Sequence, residues 1–272
     1  MNKIQEMETL FKTKKPIIGM LHLKPLPGSP VYDGKGLAKV IEAALQDAKA
    51  LIDGGVNALQ VENFNDPSYF PNEAPPETVA SLAVVAHEVR RSFPEIPIGI
   101  CLLADPEASI AVAHTIGGQF IRATFFTEAS VDVSGLVTRL PHAILRYRKF
   151  LDPSIKILAD VHIKHSAPLG QRPIEEAAYD AAYFLADAIM VSGKHTGMPT
   201  SMDDVKRVKK VLPEFPVYIG SGVNAGSVKE LFEYADGAVV GTSLKYDGDS
   251  TKAVSAEKVV EFMKVVQKIR NA

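Results

Sequence analysis

Residues 156–165 read KILADVHIKH, and the two faces of this stretch differ in chemistry. Strand side chains point alternately to opposite faces. Ile157, Ala159, Val161 and Ile163 therefore form one apolar row, and Leu158, Asp160, His162 and Lys164 form the other. A strand buried on both faces of a parallel sheet is ordinarily apolar throughout. An acid, an imidazole and an amine in one row need a place where charge is compensated or used. A barrel supplies one, since each strand turns one face to the surrounding helices and the other to the interior. The apolar row is expected to face helices, which puts Asp160, His162 and Lys164 inside, with Lys164 nearest the C-terminal mouth.

Outward from this stretch, strand and helix signals alternate. PIIGMLHL (16–23) is the first strand. Leu37, Val40, Ile41, Ala44, Leu45, Ala48, Leu51 and Ile52 then recur at helical spacing until Gly54 and Gly55. NALQVEN (57–63) follows as a strand with Gln60 and Glu62 on one face. IGICLL (98–103), QFIRATFF (119–126), DAIMVSG (187–193), VYIGSG (217–222) and DGAVVGT (236–242) read as further strands. Helices are expected over 76–92, after Asp105-Pro106, and over 136–150, 173–185, 203–211, 226–234 and 256–269. Eight strand-and-helix units in about 250 residues fit a closed (β/α)8 TIM barrel better than an open doubly wound sheet. One such domain is expected over residues 1–272, with 1–15 as a polar leader.

The composition is 46% hydrophobic and 23% charged, with a formal net charge of -2. That balance suits a soluble protein with a large core and gives no broad attraction to nucleic acid polymers or anionic membranes. Cys101 is the single cysteine, so no intrachain disulfide or cysteine-rich zinc site can form. No apolar run is long enough for a signal peptide core or a transmembrane segment. A cytoplasmic location is the default expectation, and homo-oligomers stay open.

Candidate site residues cluster at strand ends. Glu62 falls at the same end as Lys164, His22 is in phase with Ile18 and Met20, and Arg122 is in phase with Phe120 and Thr124. Uncompensated buried charges cost several kcal/mol each, roughly. Arg122 could therefore simply neutralise Asp160 or Glu62, and a lone His22 could be a hydrogen-bonded core residue. Taken together, the catalytic candidates are Glu62, Asp160, His162, Lys164, His22 and Arg122. Glu62 and Asp160 could act as acid and base if their environments separate them. Lys164 could form a Schiff base with a carbonyl substrate, or with Arg122 could hold an anion. A divalent metal on Glu62, Asp160, His162 or His165 is a further option, with no local ligand spacing to support it.

Two glycine loops follow the last two strands, Gly220-Ser221-Gly222-Val223-Asn224 and Gly241-Thr242-Ser243-Leu244-Lys245. Glycines permit close backbone approach, and barrel enzymes often bind phosphate at these positions. Gly220, Ser221, Gly222, Gly241 and Thr242 are the phosphate-binding candidates, although tight turns alone would also use glycine. Asn63-Phe64-Asn65-Asp66-Pro67 could line the mouth, and Ser192-Gly193-Lys194-His195-Thr196-Gly197 could close over a ligand.

MLHLKPLPGSP near the start, VENFNDPSYF, LADVHIKHSAPL, SGKHTGMP, GSGVN and VVGTSLKYDG together resemble the BtpA family, which includes SgcQ-type proteins. The resemblance spans about residues 16–269. It implies a TIM barrel of the ribulose-phosphate-binding type, with Glu62, Asp160, Lys164, His165, Gly222 and Gly241 in its motifs. The family is named for a role in photosystem I biogenesis at cyanobacterial thylakoids, and it also occurs in non-photosynthetic organisms. SgcQ-type relatives look like sugar-metabolism proteins and carry nucleosidase labels. Thr124-Phe125-Phe126 stands where an asparagine-containing segment is expected after Arg122. The expected function is an enzyme acting on a small phosphorylated sugar or nucleoside-derived ligand. The alternative is a non-catalytic assembly factor that binds a protein partner through the barrel exterior.

Overall fold

Ile157, Ala159 and Val161 pack in the cluster shared with the outer helices, while Leu158 lies in a separate interior cluster with Ile18, Met20, Phe120, Met190 and Tyr218. The two rows of the 156–161 stretch thus face as its alternation requires. The chain is seen here in a computed structural model that describes residues 2–138 and 140–271. Its parallel strands are β1 (Ile17–His22), β2 (Ala58–Glu62), β3 (Ile98–Cys101), β4 (Phe120–Ala123), β5 (Lys156–Val161), β6 (Ala188–Val191), β7 (Val217–Ile219) and β8 (Gly237–Val240). Each pairs with the next, and β8 returns to β1 through Ile17↔Ala238, Ile18↔Val239 and Gly19↔Val240. The barrel is closed. Phe120 occupies interior space that Gly99 leaves open, since a Cβ on that glycine would sit 2.1 Å from the ring.

The outer helices are α2 (Ala38–Asp53), α3 (Pro76–Ser92), α4 (Pro106–Ile116), α5 (Pro141–Leu151), α6 (Ile174–Tyr183), α7 (Met202–Val211), α8 (Val228–Leu231) and α9 (Ala256–Arg270). None is long and apolar enough to cross a membrane, among the described residues.

The polar leader does more than precede the barrel. Residues Lys3–Phe11 form helix α1, opened by a reciprocal Asn2/Gln5 capping box. Met7 and Phe11, four apart and so on one helical face, are buried in the interior cluster. The Phe11 ring meets Phe120 edge-on at 5.5 Å and also approaches Tyr218. Lys3 and Arg148 both bind Asp187, and Lys156 binds Glu6, so α1 is also held by charge at the N-terminal end of the strands. The chain's start therefore closes the bottom of the barrel.

Two helix expectations need correction. The stretch 136–150 is helical only from Pro141, because residues Gly135–Val137 pair with Ser130–Asp132 as an antiparallel hairpin. Pro141 is the reason: it forces Leu140 into an extended conformation and is preorganised for the first helical position. The hairpin gains a third, two-residue strand, Ala167–Pro168, and this small sheet joins the loops after β4 and β5 above the mouth. The helix expected over 226–234 is the short α8 alone.

Candidate functional site

The C-terminal ends of the strands bring most of the sequence candidates together. His22 and Glu62 are directly paired across β1 and β2, and Arg122 and Asp160 project inward from β4 and β5. Arg122 Nε donates to Asp160 Oδ2 at 2.7 Å and Nη2 donates to Oδ1 at 2.9 Å. Of the two carboxylates within its reach by sequence, the guanidinium therefore neutralises Asp160, in a two-pronged pair buried from solvent. Burial works against the Arg122 charge, but Asp160 outweighs it and holds the guanidinium pKa above its ordinary value. Ser192 Oγ also donates to Asp160 Oδ1, at 3.2 Å. With both oxygens engaged, Asp160 anchors the floor of the site and lines neither of the cavities above it.

Those cavities are two lobes of one mouth. The first, about 200 Å³, is lined by the Gly220–Asn224 loop, Gly241, Thr242, Ser243 and Gly197, with His22 and Met20 on its inner side. The second, about 490 Å³, is walled by Phe64, Tyr69, Leu103, Phe125 and Ile163, with the hairpin residue Val133 on its outer side. Glu62, Arg122, Lys164 and Thr196 line both lobes.

At this junction Lys164 makes no hydrogen bond or ion pair among the described residues. Burial, followed by the nearby Arg122 charge, lowers its pKa against the opposing pull of Glu62 and Asp160. Glu62 is almost fully buried, and Gln60 beneath it donates Nε2 to its Oε2 at 3.1 Å. His22 Nδ1 lies 3.2 Å from the Ser250 carbonyl, which can only accept, so Nδ1 carries the proton and Nε2 is left as an acceptor. Burial, with the charge of Lys245 second, lowers the His22 pKa to about 3, and the ring stacks on Phe64 at 4.2 Å. Cys101, paired with Glu62 across β2 and β3, is buried, and burial pushes its thiol pKa well up.

His162 leaves the inward row. β5 ends at Val161, and His162 takes a left-handed backbone with φ 49°, which breaks the strand period. Its Nε2 lies 3.8 Å from Glu128 Oε1, away from both lobes. Lys164 reaches the mouth through this turn rather than by alternation. His165, also at positive φ, packs against His195, and its Nε2 accepts from the Thr196 backbone N–H at 3.2 Å. The structure does not gather Glu62, Asp160, His162 and His165 around one point: Asp160 is taken by Arg122, His162 turns to Glu128, and His165 lines the second lobe with its ring engaged by Thr196 and His195. No group of three or more His, Cys, Asp or Glu suited to a metal occurs among the described residues.

The glycine loops share the first lobe but divide the work. A Cβ on Gly220 would lie 2.5 Å from Ser192 Oγ and 3.2 Å from Arg122 Nη2, so this glycine makes room for the ion pair. Gly222 has φ +69° and lies against the Met198 carbonyl, which a side chain would strike. Ser221 Oγ accepts from Gly193 N and donates to Met198 O, bracing the β6 and β7 loops. Ser243 Oγ donates to Val223 O and ties the two glycine loops together. The Thr242 hydroxyl and the backbone N–H groups of Gly241, Thr242 and Ser243 have no protein partner among the described residues. The amides leading into α8 are taken: Asn224 Oδ1 accepts from Gly226 N and Ser227 N, and the Asn224 carbonyl accepts from Val228 N. An anion here would be met first by the loop amides of Gly241, Thr242 and Ser243.

The profile of the BtpA family matches residues 13–268. The chain belongs to the BtpA family. Relatives span nearly its whole length. An uncharacterized protein of Thermococcus kodakarensis is 40% identical over 261 residues, 95% of this chain and 98% of its own. The Photosystem I biogenesis protein BtpA of Synechocystis is 35% identical over 258 residues, 94% of this chain and 89% of its own. Among solved structures, phosphoribosyl anthranilate isomerase from Thermus thermophilus superposes with a TM-score of 0.58 at 12% identity, covering 94% of this chain and 100% of that one. That likeness shows the TIM-barrel fold.

Several residues of this BtpA-family mouth carry roles that strand parity alone did not assign. Ser192 completes the Arg122–Asp160 group, Thr196 lies on both lobes, and Phe64 holds the His22 ring. Ser192, Thr196 and Phe64 belong to loops whose polar and glycine-rich character was visible, but loop residues have no fixed periodicity to tell which way they point.

Proposed function

We propose that this chain is an enzyme that binds a small phosphorylated sugar or nucleoside-derived molecule at its C-terminal mouth. The observation that carries the reading is an unpaired amine and a buried carboxylate, Lys164 and Glu62, on the wall shared by two lobes, one of them built from glycine loops. Phosphate is held by the loop amides from Gly241 to Ser243, by the Thr242 hydroxyl and by the Gly222 turn, within the field of Arg122 and Lys164. The reacting bond lies at the junction. Lys164, with its lowered pKa, is the group most easily exchanged between ammonium and amine there, and Glu62 is the carboxylate available to the opposite proton transfer. Arg122 and Asp160 fix the floor beneath them.

Calorimetric screening of sugar phosphates and nucleotides against the wild type and Thr242→Asp tests this. A phosphorylated compound should bind the wild type, and the added negative charge should weaken it by at least about tenfold. Undiminished binding by Thr242→Asp would place the ligand elsewhere.

A second reading, a biogenesis or assembly factor, draws on the printed name of the Synechocystis relative and on an exposed apolar cluster. Tyr179, Tyr183, Phe184 and Leu185 at the end of α6 are open to solvent, with the Tyr183 ring against both Tyr179 and Phe184. Glu62→Gln separates the two readings. An assembly factor keeps its partner in a pull-down and its phenotype; an enzyme loses its phenotype while staying folded.

A further inference from the structure

We propose that the larger lobe seats a planar aromatic or heteroaromatic group, joined through a sugar to the phosphate held at the glycine loops. This rests on the phosphate reading above and narrows it from phosphorylated sugars at large to those that carry a ring. The apolar walls of the lobe are Phe64, Tyr69, Leu103, Ala104, Phe125 and Ile163, with Ser68, Asp132, His165 and His195 also lining it, and its volume of about 490 Å³ exceeds the 200 Å³ of the glycine-lined lobe. Two polar wall atoms away from the Glu62–Lys164 junction are already occupied. The Tyr69 hydroxyl donates to the Phe64 carbonyl, and Thr124 Oγ1 accepts from Ala104 N. A bare sugar placed against Phe125 and Leu103 would turn hydroxyls away from water onto an apolar wall. A flat ring loses nothing by leaving water and gains contact with aromatic faces.

Two further features fit such a ligand. Phe64 is held in place by its stack on His22, interplanar angle 21°, so one wall is fixed before anything binds. The lobes meet at Glu62 and Lys164, so a molecule with its phosphate in one and its ring in the other carries its sugar across that junction. The bond joining ring to sugar then lies beside the groups able to move protons.

The test is isothermal titration calorimetry with adenosine 5'-monophosphate, ribose 5-phosphate and adenosine on the wild type, Val133→Asp and Phe125→Ala. Val133 is 91% exposed at the hairpin tip, so Val133→Asp puts a charge on the lobe without threatening the core. Phe125→Ala is checked for folding by circular dichroism. The nucleotide should bind the wild type at least about tenfold more tightly than ribose 5-phosphate. Both variants should lose that advantage while keeping the wild-type affinity for ribose 5-phosphate. Equal affinity for nucleotide and ribose 5-phosphate would overturn the ring proposal and leave the phosphate reading standing. Adenosine binding as tightly as its phosphate would overturn the phosphate reading and the joined ligand with it. Silence from all three probes would overturn both.

Discussion

Lys164 holds an amine in a place that disfavours its charged form, and that has a cost in stability. A lysine whose folded pKa is depressed binds fewer protons than the unfolded chain between the two values. The penalty is absent above the unfolded pKa and grows as pH falls toward the folded one. Lys164→Met should therefore stabilise the protein at neutral pH, by roughly 0.5–2 kcal/mol. Urea midpoints at neutral and alkaline pH check this, and a destabilised variant, or a gain larger at alkaline pH, contradicts it. His22 shows the same sign. With a pKa of about 3 it stays neutral where an ordinary imidazole titrates, and it withdraws stability as pH falls from the unfolded histidine value toward 3. Its Cε1 proton resonance should stay fixed from neutral pH down to pH 5, and a midpoint near the ordinary histidine value would show the ring to be solvated. The facing of Asp160 and Glu62 was legible because a period of two survives inside a strand. His162 was not, because the strand stops one residue before it and a left-handed backbone turns it away.

At the level of elements, the alternation of strands and helices was open to reading because helix and strand impose different periods on apolar residues. The two pieces that escaped it are short and mostly polar. Helix α1 signals itself through just Ile4, Met7, Leu10 and Phe11 in a single short segment, and the hairpin has three-residue strands whose Leu136 also fits helical spacing with Leu140 and Ile144. The attachment of α1 has a chemical handle. A hydrogen bond from Lys156, at 2.7 Å, holds the Glu6 carboxyl below its usual pKa. Such a group contributes stability that is present above the unfolded pKa and lost as pH falls through the folded one. Lys156→Met should melt below the wild type at neutral pH, and the gap should close in acid. A gap that persists below the carboxylate range would assign the loss to packing rather than to the Glu6 pair.

Across the whole molecule, the packed floor and the candidate site occupy opposite ends of the barrel, as TIM barrels allow. The bottom is closed by Met7, Phe11, Phe120 and Tyr218 with the Asp187 ion pairs, and nothing in that group lines either lobe. The mouth is made from β1 itself and the loops after the other seven strands, which explains why its residues were visible in sequence while its division into two lobes was not: lobe shape depends on loop paths. Perturbations of the two ends should therefore separate. Phe11→Ala removes a buried ring that touches two others and should cost about 3–5 kcal/mol, lowering the melting temperature by about 2–4 °C per kcal/mol for a chain of this size class. A phosphorylated ligand at a hundred times its dissociation constant contributes about 2.7 kcal/mol to the folded state wherever its site is intact. Phe11→Ala should keep that ligand-induced rise in melting temperature, while Thr242→Asp should melt like the wild type without ligand and show no rise with it. Loss of the ligand response in Phe11→Ala would mean that the interior layers couple floor to mouth, and the closed end would then be part of the site.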